Sequence, residues 1–475
     1  MPNGAWPYTL FGQRATNINL KIKNPSATRA IFQVYAVFAY VLLRQSWSPT
    51  IQPPQPRAPL SDNDKFQFQD IAMHLLDRTL RDLDDHDAEH RGHRHQDLRL
   101  WKLLHTGDNF TTYTRCDDVP EAPYVATDGS QSSTSRPSKD VVLGMGFLKC
   151  SLEELMYGVF MGDSHAMALK LAAVDLNIGR GAVLVQLQGP CKEDPFRFLA
   201  LKWIEVRPPP VPVVGKMLVA PREVLFLGGT GTMVRPDTGE YIGYEVHHSV
   251  EHPAFLPVEG LRRTRVVIGS IYRPRPDGAV DLFIKSYSME ADMGKIMGSL
   301  AMSHASRCIE RVWMVPAFAY AKKLRWCMNN RLHGNNKHKV LTAKLTGRCG
   351  ACGKRARRMK TESRRMCRLC KVPLCSSCRV KEVLVDVDQL LRARNIVVRI
   401  CLICRDFVKG MSALEIARQE MNQQRPAVFD PLTPNTLDVL ARDFSLDNSF
   451  CTASVESLCM LETPQSDSER TEVLN

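Results

Sequence analysis

The chain has 475 residues, 44% hydrophobic and 24% charged, and carries a formal net charge of +13. That length suits two or three folded units with a sizeable core. Of 15 cysteines, seven (Cys116, Cys150, Cys191, Cys308, Cys327, Cys451, Cys459) are scattered and no cleavable signal peptide opens the chain, which speaks against a disulfide framework and for a reducing compartment.

Residues 1–58 hold an uncharged, mostly apolar stretch, Ala30–Leu43, between Arg29 and Arg44. Its 14 residues fall short of the ~20 that a spanning helix needs. It therefore reads as a buried or interfacial helix in a mainly soluble protein. A Pro-rich run from Pro49 to Pro59 breaks any helix and marks a boundary. Ser61–Leu83 then shows apolar residues at helical spacing (Phe68, Ile71, Leu75, Leu76, Leu80), with Ser61 or Asp62 as N-cap. The stretch after it places His86, His90, His93 and His95 among carboxylates. Nothing there fixes a ligand geometry, so a solvated loop is expected rather than a metal site.

From Trp101 to Met289 strand-like runs dominate: Phe110–Arg115, Val141–Phe147, Ala182–Gln188, Phe196–Val206, Glu223–Thr232, Tyr241–Val250, Arg265–Arg273 and Ala279–Met289. The turn signals Pro236-Asp237-Thr238-Gly239 and Pro276-Asp277-Gly278 suit tight antiparallel hairpins, and Thr127–Lys139 reads as a polar loop. The cluster Gly228-Gly229-x-Gly231 lacks the lysine and helix of a phosphate loop. A helix is predicted from Asp292 to Arg311, with Met293, Ile296, Met297, Leu300, Cys308 and Val312 along one face. Such a stripe serves as ordinary core or as an adaptable wall for a variable apolar ligand. Both readings imply an α+β unit in which an antiparallel sheet curls around one long helix.

Four C-x2-C pairs follow: Cys349/Cys352, Cys367/Cys370, Cys375/Cys378 and Cys401/Cys404. One such turn brings two thiolates to one ion, so four turns make two tetrahedral zinc sites. Only 4 residues separate the second and third pairs. That favours an interleaved arrangement, with pairs one and three on the first Zn2+ and pairs two and four on the second. Sites closed by four ligands are structural and not catalytic. Between Leu341 and Gly410 there are 18 Lys+Arg against 5 Asp+Glu, an excess equal to that of the whole chain. Two zinc ions on eight thiolates leave about +9. So basic a module calls for an anionic partner. Beyond Met411 a short helix is expected over Leu414–Gln423, and then a mostly disordered acidic tail.

The order of elements resembles the START lipid-binding domain. The likeness runs over Leu100-Trp101-Lys102-Leu103-Leu104, the strand TGDNFTTYTR, FRFLALKW, Pro221–Leu227, Gly243–Pro257 and Arg265–Lys295. It covers residues 59–328 and implies a helix-grip fold: a curved antiparallel sheet around a long C-terminal helix, with one lipid under Met293, Met297 and Leu300. Residues 341–410 are similar to a FYVE-type zinc finger, a small two-zinc cross-brace. They share its interleaved ligand order and an RIC segment, Arg399-Ile400-Cys401. Arg365 and Met366 stand where that family has two histidines, and Leu341 and Lys344 where it has W-x-x-D. These are the residues the family uses for phosphatidylinositol 3-phosphate. A basic face remains, with Arg364, Arg365 and Arg368 as lipid-headgroup candidates.

The resulting expectation is a non-enzymatic lipid-binding protein, cytoplasmic and peripheral on endosomal or other acidic membranes. The alternative is a RING-like adaptor or ubiquitin ligase, with a protein partner on the zinc module; RING modules usually include a histidine ligand, and all eight candidates here are cysteines. Nucleic acid is the weaker partner, since Phe407 is the single aromatic residue between Leu341 and Gly410. A hydrolase has no G-x-S-x-G elbow to stand on, and His247-His248-Ser249 falls inside a predicted strand.

Overall fold

The computed structural model describes residues 51–90, 100–116, 141–174, 178–206, 221–288, 305–330, 348–354, 366–388 and 393–423. Helix α1 (Asp62–His90) opens on a reciprocal cap. Ser61 N donates to Asp64 Oδ2 at 2.8 Å, and Asp64 N donates to Ser61 Oγ at 3.1 Å. The helix outruns the expected end at Leu83 by about two turns, through residues expected to form a loop. The reason is charge pairing with the sheet: Arg235 holds Asp84 at 2.9 and 2.7 Å, Lys285 holds Asp82 at 3.1 Å, and Arg273 pairs with Asp87. Those carboxylates are bound across a helix face instead of solvated.

The strands are β1 (Trp101–Thr106), β2 (Phe110–Arg115), β3 (Val141–Leu148), β4 (Ile178–Gln188), β5 (Phe198–Val206), β6 (Arg222–Val234), β7 (Tyr241–Ser249), β8 (Arg262–Arg263), β9 (Val266–Pro274) and β10 (Val280–Ser288). They form one large curved sheet in the order β1-β2-β3-β10-β9-β7-β6-β5-β4, antiparallel along this path, with β8 beside β6. The two outermost pairings are irregular. The β1–β2 register shifts between Leu103 and His105, and the β4–β5 register shifts at three places.

The two faces of this sheet differ. One is filled by large apolar chains, Leu199, Leu201, Trp203, Leu225, Leu227 and Phe283, packed under Phe68, Ile71, Leu75 and Leu76 of α1. On the other, the register aligns Phe198, Thr230, Glu245, Ser270, Ile284, Gly144 and Thr112 in one row across seven strands. The adjacent row carries Ala200, Gly228, His247, Ile268, Ser286 and Val142. This second face is carpeted mainly by small and polar residues.

Two helices between β3 and β4, α2 (Leu152–Val159) and α3 (Ser164–Val174), were not expected from periodicity. Their caps are present in the sequence: Ser151 Oγ accepts Glu154 N–H at 3.2 Å, and Asp163 Oδ1 accepts Ala166 N–H at 2.7 Å. Met293, Ile296, Met297 and Leu300 lie outside the described residues. Residues 305–310 are helical, and Ile309 sits directly over Gly144, where a Cβ would collide with it. The α-helical residues end at Glu310, next to the expected end at Arg311. A 3-10 turn (Arg311–Met314) leads into α4 (Val315–Asn329), because Pro316 occupies the first turn of α4, where its missing N–H costs nothing.

The cysteine-rich region adds a hairpin, β11 (Arg379–Val387) with β12 (Ala393–Cys401), then α5 (Leu402–Gly410) and α6 (Ala413–Gln423). It packs against α2, α3 and α4. Leu155, Met156 and Leu324 share one buried cluster with Val408 and Ile416, while Leu169 and Phe318 meet Val387. Polar contacts cross the same seam. Tyr157 donates to Glu420 Oε1 at 2.9 Å, Tyr320 to Glu382 Oε1 at 3.2 Å, and Arg325 to the Val385 carbonyl. Lys323, 1% exposed, pairs with Glu154 and donates to the carbonyls of Lys409 at 3.0 Å and Met411 at 3.1 Å.

Candidate metal centres and the small-residue face of the sheet

The four cysteine pairs converge as two quartets: Cys349, Cys352, Cys375 and Cys378, and Cys367, Cys370, Cys401 and Cys404. Within each, the Sγ atoms all lie within 4.8 Å of one another. A tetrahedral ion with Zn–S bonds near 2.3 Å demands S···S separations of about 3.8 Å. The Cys352–Cys375 and Cys370–Cys401 separations are 3.8 and 3.9 Å. Backbone donors also point at sulfur, as thiolate ligands require. Cys375 N–H reaches Cys349 Sγ at 3.4 Å, and the N–H groups of Cys401 and Cys404 reach Cys367 and Cys401 Sγ at 3.3 Å. The donor set fits zinc, and each quartet can hold one ion.

Local backbone explains how the pairs turn. Gly353 N–H donates to the Cys349 carbonyl at 2.8 Å, and Lys371 N–H to the Cys367 carbonyl at 3.0 Å. The residue after the first and after the second pair enters the left-handed region, Gly353 at φ +70° and Lys371 at φ 58°. The quartets differ in exposure. The second is wholly buried, while Cys352 in the first is exposed and Cys375 and Cys378 are half-buried. Ser377, 3.5 Å from Cys375 Sγ, holds that thiol below its ordinary range.

Arg368 is exposed, with its backbone N–H bound to the Arg399 carbonyl at 2.8 Å. Arg364 and Arg365 lie outside the described residues, as do Ala30–Leu43, His93, His95 and the chain after Gln423. His86 is on α1, stacked obliquely on Phe283 and 3.4 Å from Asp87. No described helix is long and apolar enough to cross a membrane.

The second face of the sheet bears a charged cluster that periodicity alone does not reveal. Glu245 in β7 accepts Tyr272 Oη at 3.0 Å on one oxygen, while Lys170 Nζ at 3.3 Å and His247 Nε2 at 3.4 Å approach the other. Burial would push this carboxyl up. The Lys170 ammonium and the His247 and Tyr272 contacts outweigh it and hold Glu245 well below the carboxylate range. Lys202 in β5 is 1% exposed on the same face, and burial pushes it down to about 7. The available signal was a lysine inside the apolar run Phe198–Ile204. The Ser249 hydroxyl accepts Val266 N–H at 2.7 Å, and His248 points to the opposite face from His247.

Comparison with protein-family models and with curated proteins finds no match. Among solved structures the chain is similar to human StAR-related lipid transfer protein 5, at 14% identity and TM-score 0.31, covering 53% of this chain and 98% of that one. It is similar to human STARD10 at 13% identity and TM-score 0.30, covering 55% and 82%. A STAR-related lipid transfer protein from Xanthomonas axonopodis gives 10% identity and TM-score 0.30, covering 46% and 99%. At such scores the α+β assignment rests on the strand order and face packing given above.

Proposed function

We propose that the protein is a non-enzymatic lipid-binding protein. Its START-like unit, residues 59–328, holds one lipid. Its basic FYVE-type module, residues 341–410, is built on two structural Zn2+ and docks on anionic membranes, phosphoinositide-bearing ones included. The place of action is cytoplasmic and peripheral, on endosomal or other acidic membranes.

The observation that carries this reading is the asymmetry of the sheet. The face under α1 is filled by Leu, Trp and Phe side chains. The opposite face carries Ala200, Thr230, Ser270 and Ser286 among Phe198, Ile268 and Ile284, so its own side chains bulk it out less than those of the face under α1. A lipid is the chemical class whose length and apolar surface suit a curved face of this kind. On the zinc module each Lys or Arg near an acidic surface contributes about 1 kcal/mol.

Native mass spectrometry of detergent-free protein tests both parts. The expected mass excess is two zinc ions plus one lipid. Zinc without lipid under every lipid-loading condition refutes the lipid-binding unit. For docking, flotation is expected on anionic vesicles and loss of it at high salt; equal flotation on neutral vesicles refutes the electrostatic part.

A further inference from the structure

The charged cluster on the small-residue face is unbalanced. Lys170 and Lys202 stand against the single carboxylate of Glu245, with His247 beside them. Glu245 already has partners on both oxygens: Tyr272 on one, Lys170 and His247 on the other. Lys170 also donates to the Val159 carbonyl at 3.1 Å. Lys202 is left over. Among the described residues its ammonium makes no hydrogen bond or ion pair; what attracts it is the Phe198 ring, centred 5.1 Å away, and the longer-range pull of Glu245, which the like charge of Lys170 opposes.

The lysine is nevertheless accommodated. Its side chain lies across Gly228 of β6, where a Cβ would stand 2.8 Å from Lys202 Cδ and 3.1 Å from its Nζ. It pairs in register with Phe226 and projects onto the same face as Glu245 and Ser270. A lysine confined this way, with no hydrogen-bond or ion-pair partner among the described residues, costs stability unless something else supplies an anion. One anion beside Lys202 would balance the cluster.

We propose that Lys202 receives the carboxylate or phosphate of an anionic lipid held on this face, with its acyl part over the apolar neighbours Phe160, Phe198 and Phe226. This rests on the lipid-binding reading above and narrows it to anionic lipids. Phe160 and Phe198 meet edge to face at 5.8 Å, and Phe226 meets His247 at 5.2 Å. They form an aromatic wall next to the ammonium.

The test incubates the full chain with phosphatidylcholine vesicles doped with oleate, phosphatidic acid or diacylglycerol, and weighs the re-isolated protein by native mass spectrometry. Wild type is expected to carry oleate or phosphatidic acid in preference to diacylglycerol. Lys202→Met is expected to lose the anionic lipids about tenfold or more, the usual scale for a charge-assisted bond, while keeping diacylglycerol. Lys202→Arg is expected to regain them. Folding is checked by thermal melting, where Lys202→Met should melt no lower than wild type because it removes a buried unpaired charge. Undiminished anionic lipid on Lys202→Met overturns the subsite and leaves the lipid reading standing. Absence of every lipid from wild type overturns that reading. If inorganic phosphate alone then binds wild type and not Lys202→Met, the anion comes from solution, which overturns the headgroup assignment.

Discussion

Lys323 is the residue whose removal best tests whether the zinc module and the sheet unit are mechanically joined. It rises from α4, is 1% exposed, pairs with Glu154 of α2 and donates to two carbonyls around the end of α5. Lys323→Met keeps the stem and deletes the ammonium. Each buried acceptor left without a donor costs about 1–3 kcal/mol. Glu154 is 32% exposed and can rehydrate, and the two carbonyls are only part-buried, so the lost charge-assisted bonds set the scale, at about 1.5–3 kcal/mol in total. Lys323→Ala adds lost stem packing, for about 4 kcal/mol. The assay is equilibrium unfolding in urea, followed by tryptophan fluorescence and, in parallel, by zinc release to a chromophoric chelator. Trp203 reports on the sheet and Trp326 on α4. Both signals are expected to move together to lower urea. A shift below about 0.5 kcal/mol, the level of an ordinary surface change, refutes the staple. A shift in zinc release alone refutes the mechanical joining.

Other outcomes follow from the same geometry. Chelation is expected to release zinc in two phases, the first ion leaving from the exposed quartet and the second from the buried one; Cys352→Ser should abolish the fast phase, and a single phase in wild type contradicts the difference in burial. Without ligand, Lys202 titrates near 7 in the folded chain against 10.5 ordinarily. The unfolded chain therefore binds more protons between those values, and stability rises with pH across that window. Lys202→Met should exceed wild type by roughly 3–5 kcal/mol below about pH 7, and the gap should close by about pH 10; a gap independent of pH rejects a charged, buried Lys202. Gly353→Ala should cost about 1–2 kcal/mol and Lys371→Gly should gain up to about 1 kcal/mol, from left-handed strain. Thermal melts of the two variants check the signs.

Much of this was legible in the sequence. Runs rich in β-branched and aromatic residues, bounded by turn signals, located β2, β3, β5, β6, β7, β9 and β10. The C-x2-C spacings pointed to the pairs that meet in each quartet. What escaped has physical reasons. Helix α1 runs past Leu83 because Asp84 and Asp87 find arginines that are more than 140 residues away in sequence, a contact no local pattern encodes. Helix α2 has only 8 residues, too few for a helical period to declare itself, and Ser151 and Glu154 were its signals. Lys202 and Glu245 were hidden because each sits in a strand that otherwise reads as core.

The irregular outer pairings of the sheet bear on how the protein behaves at high concentration. An open sheet ends in rows of unsatisfied N–H and C=O groups, which invite a second copy to add itself. Here β1 is kinked near His105, and β4 is offset from β5 at three places along its length. Such bulges twist an edge out of the flat, in-register shape that docking a foreign strand requires. The two margins are thus poor templates, and crowding would not by itself zip neighbouring molecules together strand to strand.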